Sequence, residues 1–231
     1  MNISVCMATH NGEKYLRHQV DSILAQLDSS DELVISDDNS EDFTLSILKS
    51  FHDPRIKLLS PEKFGTPVRN FEYALQHCVH PLIFLADQDD VWHPEKVRIM
   101  RDALRSNDLV ICDCRIVNEE LYPLHGSFFQ VNRSKSGLFR NLFKNSFIGC
   151  CMAFRREVLE KALPFPENIA LHDQWIGLVA ERYFNVKFMS QILVDHRRHS
   201  GNYSTTTGAS ENSFGRKIKL RFHLAKDLLE H

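Results

Sequence analysis

The sequence predicts an α/β fold with a mostly parallel sheet and helices on both faces. In the first half of the chain, short apolar runs alternate with stretches whose apolar residues recur at helical spacing. Such alternation is typical of strands joined by right-handed helical crossovers, which place the loops after the strands along one edge of the sheet. Ligands bind at that edge, so we expect the functional residues in those loops.

Composition restricts the class of protein. The 231 residues, 43% hydrophobic and 25% charged, are ordinary for one soluble globular domain. The formal net charge of -2 provides no basic excess for a nucleic-acid backbone, so no nucleic-acid partner is expected. The sequence has neither a basic, apolar leader nor a run of about 18 apolar residues. This predicts a cytoplasmic protein, or one on the cytoplasmic face of the inner membrane.

The six cysteines fit no zinc-finger or zinc-ribbon spacing. All but Cys78 lie in apolar, strand-like runs, where reduced cysteine packs as a small hydrophobic side chain. We therefore expect buried thiols without disulfides.

In the first half of the chain, strands are predicted at residues 3–8, 33–35, 56–59 and 82–86, with helices at residues 16–27, 45–51 and 71–78. In the first helix, Leu16, Val20 and Ile23 recur at helical spacing and form one apolar face. Pro54 ends the second helix, because the residue before a proline is disfavoured in helical conformation. The loops that begin at Thr9, Asp37 and Asp87 should converge at one edge of the sheet.

The second half continues with a helix from Pro94 and a strand at residues 109–112, after which the alternation ends. Residues 119–146 have no clear period and predict a long connection over the functional edge. Beyond it we predict a buried strand at residues 147–154, helices from residues 155 and 172, strands at residues 186–189 and 192–195, and a polar loop at residues 200–213.

The fourth strand ends in three carboxylates within four positions: Asp87, Asp89 and Asp90. Crowded carboxylates repel one another, and at the end of a buried strand they need a cation or a hydrogen-bond donor among them. Mg²⁺ and Mn²⁺ take carboxylate oxygens together with water and substrate phosphates. The cluster therefore predicts a metal and nucleotide site. The alternative is a solvated acidic turn ahead of the helix near Pro94.

No glycine-rich phosphate loop occurs, neither G-x-G-x-x-G nor the P-loop pattern, so another group must meet the charge of a bound diphosphate. The D-x-D pattern resembles that of nucleotide-sugar glycosyltransferases. Residues 3–11 resemble the opening strand and loop of glycosyltransferase family 2, and residues 34–40 resemble its D-D-(G/N)-S segment. Residues 84–96 are similar to the D-Q-D-D-V-W-x-P-x-K segment of bacterial rhamnosyltransferase-like members, which include O-antigen and capsule glycosyltransferases.

The resemblance implies a GT-A fold with a Rossmann-like sheet over residues 1–213, divided into a nucleotide-binding half (1–115) and an acceptor-binding half (116–213). It implies a UDP- or dTDP-sugar donor, in which Asp38 accepts from the imide N–H of the base and Asp87 accepts from ribose hydroxyls. The full set of implied donor-binding positions is Ala8, Thr9, His10, Asn11, Asp38, Asp87 and Gln88.

The resemblance also implies a metal cofactor, Mn²⁺ or Mg²⁺, at Asp89 and His199. Asp173 matches the position of the catalytic base. The alternative for Asp173 is an aspartate in the first turn of a helix, stabilised by the helix dipole.

Gly149, Cys150 and Trp175 are the implied acceptor-binding positions, and a buried structural strand would equally account for the first two. The sequence departs from the family pattern at His172, where many members have glutamate, and it lacks the Q-x-x-R-W stretch. This favours transfer of a single sugar over processive polymer synthesis. The implied reaction is one inverting displacement without a covalent enzyme intermediate.

Residues 214–231 predict an amphipathic helix with a basic face. Such a helix can lie on anionic lipid, which would suit a lipid-linked saccharide acceptor, or it can dock on the domain. Two other functions are compatible with the pattern. A sugar nucleotidyltransferase would normally carry a glycine-rich basic loop after the first strand, and an inactive nucleotide-sugar-binding module would not need Asp87, Asp89 and Asp173 together.

Overall fold

The computed structural model describes residues 1–202 and 214–231, and for residues 214–220 it describes the backbone alone. The strands are β1 (Ile3–Thr9), β2 (Glu32–Asp37), β3 (Ile56–Leu58), β4 (Leu82–Asp87), β5 (Val91–Trp92), β6 (Leu109–Val117), β7 (Pro123–His125), β8 (Met152–Arg155) and β9 (Val186–Arg197). The helices are α1 (Leu16–Leu24), α2 (Thr44–Ser50), α3 (Pro67–Gln76), α4 (Lys96–Ala103), α5 (Phe128–Asn132), α6 (Leu138–Phe143), α7 (Arg156–Ala162), α8 (His172–Tyr183) and α9 (Phe214–Glu230).

The described strands form one sheet in the order β3-β2-β1-β4-β8-β6-β9-β5, with β7 paired to β6. Strands β3, β2, β1 and β4 are parallel. Strand β8 is antiparallel to both β4 and β6, so β6 and its parallel partner β9 run in the same direction as β4. Only β5, β7 and β8 oppose this direction among the described strands, which confirms the predicted mostly parallel α/β sheet.

The order of the strands reverses between β1 and β4, and this reversal determines where a ligand can bind. Helices that follow adjacent strands on either side of such a point leave in opposite directions, which opens a crevice at the carboxyl ends of the strands. The register places Ala8 beside Asp87 and Thr9 beside Asp37. The predicted convergence of the loops after β1, β2 and β4 is confirmed.

Helix α3 covers the sheet beside this crevice. Its N-terminus combines Pro67 in the first turn with a capping bond from the backbone N–H of Arg69 to the side chain of Thr66. Phe71, Ala74 and Leu75 on its inner face are buried in the core. The buried Asn70 Nδ2 donates to the Thr9 carbonyl across 3.1 Å and so joins the helix to the end of β1.

The prediction of a strand at residues 147–154 is wrong for the first half of this range. Gly149–Cys151 form a 3₁₀ turn, and β8 begins only at Met152. Here side chains satisfy the backbone groups that a sheet would otherwise pair. The N–H of Gly149 donates to Asp173, and the carbonyl of Cys150 accepts from Lys96. A run of buried apolar residues cannot by itself distinguish these two arrangements.

Two other predictions in the second half also need correction. The connection predicted over residues 119–146 contains β7, α5 and α6, and the two strands predicted at residues 186–195 are one continuous strand, β9. Ser190 and Gln191, which separate the two predicted strands, are exposed residues within the single strand. From residue 203 onward, the polar loop predicted at residues 200–213 lies outside the described residues.

Helix α9 is docked on the domain by its C-terminal half. Leu224 and Leu228 are buried, and the Leu228 carbonyl accepts from Arg182 of α8 across 2.6 Å. His231 lies with its ring edge toward Trp175 at a centroid distance of 5.1 Å. In the described chain no helix is both long and apolar enough to cross a membrane. All six cysteines are buried and free, as predicted.

Candidate active site

A cavity of about 500 Å³ opens at the carboxyl ends of β1, β2 and β4. Nine of the positions predicted from the sequence line it: Ala8, Thr9, His10, Asp38, Asp87, Gln88, Asp89, Gly149 and Asp173. His199 contacts Asp89 directly. Asn11, Cys150 and Trp175 are not among the described residues that line the cavity.

The loop after β1 is held by side-chain hydrogen bonds. Thr9 Oγ1 donates to Asp37 Oδ2 across 2.7 Å. The Gln88 amide both accepts from and donates to the backbone of His10, at 2.9 Å in each case. Asn11 has a positive φ of 47°, and its Oδ1 accepts from the backbone of the loop after β2. These three predicted donor-binding side chains therefore shape the loop through internal bonds.

Asp38 lies at the side of the cavity and organises the wall opposite β4. Its Oδ1 accepts from the backbone N–H groups of Phe64 and Gly65, at 2.6 and 3.1 Å. Its carbonyl lies 2.8 Å from Nδ1 of His10, which must carry the proton because a carbonyl only accepts. Asp38 thus links the loop before α3, through its carboxylate, to the loop after β1, through its carbonyl.

At the end of β4 the three carboxylates have different partners. Asp90 is fully buried, and its Oδ1 accepts from Nδ1 of His196 at 3.0 Å and from the backbone of Arg197 at 2.9 Å. Burial opposes the charge of Asp90, but the positive charge of His196 outweighs it and holds the pKa of Asp90 below its usual value. Burial also opposes the charge of His196, yet Asp90 raises the pKa of this imidazole well above its usual value.

At Asp87 the attraction of His196 offsets only part of the effects that oppose a negative charge. Burial, followed by repulsion from Asp90 and Asp89, raises the pKa of Asp87 well above its usual range. The negative charge of Asp173 adds a smaller contribution in the same direction. A positive group in the cavity would relieve this repulsion.

Asp89 is paired with the segment after β9. Its Oδ2 lies 2.8 Å from Nε2 of His199 and accepts from Nδ2 of Asn202 at 3.0 Å. Asn202 Oδ1 in turn accepts from the backbone of His199 at 2.6 Å, which fixes the imidazole against Asp89. The ring of Tyr15 lies 4.8 Å from that of His199 and covers its other side.

The residues at this point fit a divalent metal ion. Carboxylate oxygens suit both Mn²⁺ and Mg²⁺, and a neutral imidazole nitrogen suits Mn²⁺ better than Mg²⁺. Asp89 and His199 bring one of each into contact, and beside them burial, followed by repulsion from Asp90 and Asp89, raises the pKa of Asp87. Three other side chains that can bind a metal ion, those of Asp90, Cys150 and His196, lie close together and are buried.

Asp173 faces the cavity from the first turn of α8. Its Oδ2 accepts from the backbone of Gly149 at 3.1 Å, and its Oδ1 accepts from the backbone of Gln174 at 2.6 Å. Burial raises the pKa of Asp173 to about 6, although these two bonds act against the shift. Leu171 is the N-cap residue of α8, so Asp173 does not cap the helix. A carboxylate with a pKa near neutrality is suited to accept a proton from a substrate hydroxyl.

His172 packs behind Asp173 as a neutral imidazole. Its ring is stacked on Phe71 with a centroid distance of 3.9 Å, and burial lowers its pKa to about 3. Its Nε2 is buried and has no hydrogen-bond partner among the described residues. A Cβ added to Gly149 would lie 3.1 Å from this nitrogen, so the 3₁₀ turn approaches the imidazole as closely as a glycine allows.

The acceptor contact predicted for Trp175 is wrong, and Cys150 does not line the cavity. Trp175 is fully buried, and its Nε1 donates to the Ala162 carbonyl across 2.9 Å. Residues two apart on a helix point in nearly opposite directions. Because the side chain of Asp173 faces the cavity, the side chain of Trp175 faces the core. The side chain of Cys150 is also fully buried, and its carbonyl accepts from Lys96.

Lys96 has a structural role that the sequence analysis missed. It is fully buried, its Nζ lies 3.7 Å from the centroid of the Trp92 ring, and it donates to the Cys150 carbonyl across 2.6 Å. It thereby positions the 3₁₀ turn that contacts Asp173. The signal was available, since Lys96 ends the D-Q-D-D-V-W-x-P-x-K segment, but lysine is rarely fully buried and its burial could not be read from the sequence.

Comparisons with known proteins identify relatives of this chain. The model of glycosyl transferase family 2 matches residues 4–163. The dTDP-rhamnosyl transferase RfbG of Shigella flexneri is 32% identical over 213 residues, which cover 85% of this chain and 72% of that protein. The UDP-Glc:alpha-D-GlcNAc-diphosphoundecaprenol beta-1,3-glucosyltransferase WfgD of Escherichia coli is 28% identical over 168 residues, which cover 71% of this chain and 64% of that protein.

Among solved structures, TarS 1-349 of S. aureus in complex with UDP-GlcNAc superposes with a TM-score of 0.74 and 20% sequence identity. The match covers 97% of this chain and 66% of that one, so the chain spans about two thirds of its structural neighbour. At this level of identity the likeness shows the shared GT-A fold. The family match, which covers more than half of the chain, shows more: this protein belongs to glycosyl transferase family 2.

Proposed function

We propose that the protein transfers one sugar from a nucleoside-diphosphate sugar to a hydroxyl group of a saccharide acceptor and inverts the configuration of the anomeric carbon. One observation carries the proposal: Asp173, a carboxylate whose pKa is raised to about 6, lines the same cavity as Asp38, Asp87 and Asp89. This arrangement provides a base for the acceptor beside the residues assigned to the donor.

For the donor, we assign the pyrimidine base to Asp38 and the ribose to Asp87. The Asp38 carboxylate would accept from the imide N–H of uracil or thymine. Asp87 would accept from the ribose hydroxyls or, when protonated, donate to them, which its raised pKa permits. The backbone of the loop that contains Ala8, Thr9, His10 and Asn11 would border the nucleotide.

For the cofactor, we assign Mn²⁺ or Mg²⁺ to Asp89 and His199. When bound, the ion would supply positive charge that stabilises the departing nucleoside diphosphate. Asn202 holds the imidazole of His199 in place for this role.

In the proposed reaction, Asp173 takes the proton of the acceptor hydroxyl as its oxygen attacks the anomeric carbon. The bond from this carbon to the diphosphate oxygen breaks in the same step. A single displacement inverts the anomeric centre and requires no covalent enzyme intermediate. Gly149 keeps Oδ2 of Asp173 in position through its backbone N–H.

The acceptor is proposed to be a sugar on a lipid diphosphate carrier, in the synthesis of a bacterial surface polysaccharide such as O-antigen or capsule. WfgD is named for an acceptor of this kind, and RfbG is named for dTDP-linked rhamnosyl transfer. The corresponding location is the cytoplasm or the cytoplasmic face of the inner membrane. Residues 1–115 are proposed to bind the donor and residues 116–213 the acceptor.

Thermal shift with UDP and dTDP tests donor and metal binding. We expect either nucleotide to raise the melting temperature in the presence of Mn²⁺ or Mg²⁺ and to lose this effect in EDTA, because no glycine-rich loop is available to hold the diphosphate. Asp89→Asn should abolish the shift, whereas Asp102→Asn, an exposed control on α4, should retain it. An equal shift in EDTA would refute the metal assignment.

Transfer is tested with UDP-glucose and dTDP-rhamnose as donors and a synthetic lipid diphosphate-linked sugar as acceptor. The expected product carries one added sugar, with an anomeric configuration opposite to that of the donor when examined by NMR. A product with retained configuration would refute the single displacement. Formation of a nucleotide sugar from a sugar phosphate would instead identify a nucleotidyltransferase.

A further inference from the structure

We propose that helix α6, together with the adjoining part of α9, binds the surface of an anionic phospholipid bilayer. We call this region the α6 surface and define it by Phe139, Arg140, Phe143, Lys144, Arg221 and Phe222. The inference deepens the proposed function, since it rests on a lipid-linked acceptor, and it names the element that contacts the membrane.

Two aromatic side chains project from α6 into solvent. Phe139 is 79% exposed and Phe143 is 62% exposed. They are four residues apart in one helix and therefore share a face. On the opposite face, Asn141 is fully buried, and its Nδ2 donates to the Lys135 carbonyl and to Glu181 of α8. The fold thus fixes the two phenyl rings on the outside of the protein.

The segment around these rings is strongly basic. Residues 133–144 include four basic side chains and no Asp or Glu, although the chain as a whole has a net charge of -2; the four are Arg133, Lys135, Arg140 and Lys144. All except Arg140 are exposed. Aromatic side chains interleaved with basic ones suit the boundary between acyl chains and anionic head groups.

Helix α9 extends the surface. Arg221 donates to the Phe143 carbonyl across 2.6 Å, and its guanidinium lies 5.5 Å from the centroid of the Phe143 ring. Its neighbour Phe222 is 68% exposed. The C-terminal helix was expected either to lie on anionic lipid or to dock on the domain, and in the structure it is docked through Leu224 and Leu228 while Phe222 stays exposed.

The buried side of α6, opposite the α6 surface, contacts the helix that carries Asp173. The Asn141 carbonyl accepts from Nε2 of Gln174 across 3.0 Å, and the backbone of Gln174 donates to Asp173. One side chain therefore separates α6 from the proposed base. A bilayer in contact with α6 would present the head group of a lipid-linked acceptor close to Asp173.

Vesicle co-sedimentation without nucleotide or acceptor tests the inference. The protein should bind vesicles that contain phosphatidylglycerol, bind phosphatidylcholine vesicles weakly, and lose binding as salt is raised. The double variant Phe139→Ser, Phe143→Ser should lose at least about tenfold in affinity. Phe43→Ser is the matched control, because Phe43 is 72% exposed but lies next to α2. A double variant that binds like the parent would overturn the proposal, as would equal binding to both vesicles.

Sedimentation velocity of the parent and the double variant tests whether the α6 surface binds a second copy of the chain. A parent dimer that becomes a monomer in the double variant would assign the surface to that second copy and overturn the bilayer assignment. The thermal shift with UDP or dTDP is measured without vesicles, so a parent protein that shows the shift but does not bind phosphatidylglycerol vesicles rejects this inference and leaves the proposed function standing.

Discussion

The backbone N–H of Gly149 donates to Oδ2 of Asp173 across 3.1 Å and joins the 3₁₀ turn before β8 to the first turn of α8. The turn is held from the other side by Lys96, which donates to the Cys150 carbonyl. The orientation of the proposed base thus depends on the backbone of a turn that lies outside α8 and precedes β8.

Gly149→Ala should reduce the transfer rate more than it reduces donor binding. The new Cβ would lie 3.1 Å from Nε2 of His172 and 3.7 Å from Cβ of Asp173, so the turn or α8 must move. Because a displacement of about 1 Å can cost about 100-fold, we expect kcat to fall by about tenfold to 100-fold. Gly126→Ala is the control, since nothing lies within 4 Å of its added Cβ. An unchanged kcat for Gly149→Ala would show that the bond does not position the base.

Asp173→Asn should lose about 100-fold or more in kcat, the usual contribution of a general base, while its melting temperature stays within a few degrees. In the parent, kcat/KM should rise with pH and level off above about 6, because only the deprotonated carboxylate accepts a proton. The variant should not show this rise. The measurement requires conditions in which chemistry limits the rate.

Glu167→Gln is the control for this prediction, because Glu167 is an exposed carboxylate in the segment before α8. It should retain the activity and pH profile of the parent. If Asp173→Asn stays active but melts much earlier, Asp173 is structural, and Glu119, Glu120 and Glu167 become the next candidates for the base.

Asp38→Ala should weaken the binding of UDP or dTDP by roughly 1.5 to 3 kcal/mol, the range for a hydrogen bond to a charged group. Part of this loss would be indirect, because Asp38 also accepts from the backbone of Phe64 and Gly65. Asp38→Asn separates the two effects, since the amide oxygen still accepts from the loop but the amino group cannot accept from the base. Calorimetric titration should find weaker nucleotide binding in both variants. If Asp38→Asn binds UDP or dTDP with full affinity, Asp38 does not contact the base and only holds the loop.

Leu228→Ala and Leu229→Ala should differ strongly in stability. Leu228 is 5% exposed and packs α9 on the domain, whereas its neighbour Leu229 is 71% exposed. Truncation of a buried leucine costs about 2 to 5 kcal/mol, with the lower end expected at a terminal helix, and an exposed substitution changes stability by about 0.5 kcal/mol or less. Urea unfolding measures both. Equal effects would show that α9 is not packed on the domain in solution.

The sequence was sufficient to predict which residues gather at the ends of β1, β2 and β4. Alternating apolar runs and amphipathic stretches are local patterns, and parallel strands place their following loops at one edge whatever the details of packing. The sequence therefore placed Asp38, Asp87 and Asp89 at the edge of the sheet where the cavity opens. The same local reasoning was wrong for residues 147–154, because a buried 3₁₀ turn and a buried strand are equally apolar.

The assignment of individual partners depended on contacts between distant segments. Asp90, and not Asp89, has the buried ion pair with His196, and Asp89 is matched instead to His199 and Asn202. The family resemblance places Asp89 with His199, but the positions of Asp89 and Asp90 in the chain gave no basis for the choice of Asp90 as the partner of His196. It follows from the direction in which each side chain leaves the end of β4 and from the course of the segment after β9.

By itself, the sequence determined the order of strands and helices from β1 to β4, the carboxylates at the strand ends and the family resemblance, because each is encoded in a short stretch of residues. Only the tertiary structure decided that Asp173 enters the cavity while Trp175 enters the core, and that Lys96 is buried beneath the 3₁₀ turn. The physical reason is that helix α8 has its orientation set by the stacking of His172 on Phe71 and by the Gly149 hydrogen bond, contacts that join parts of the chain far apart in sequence.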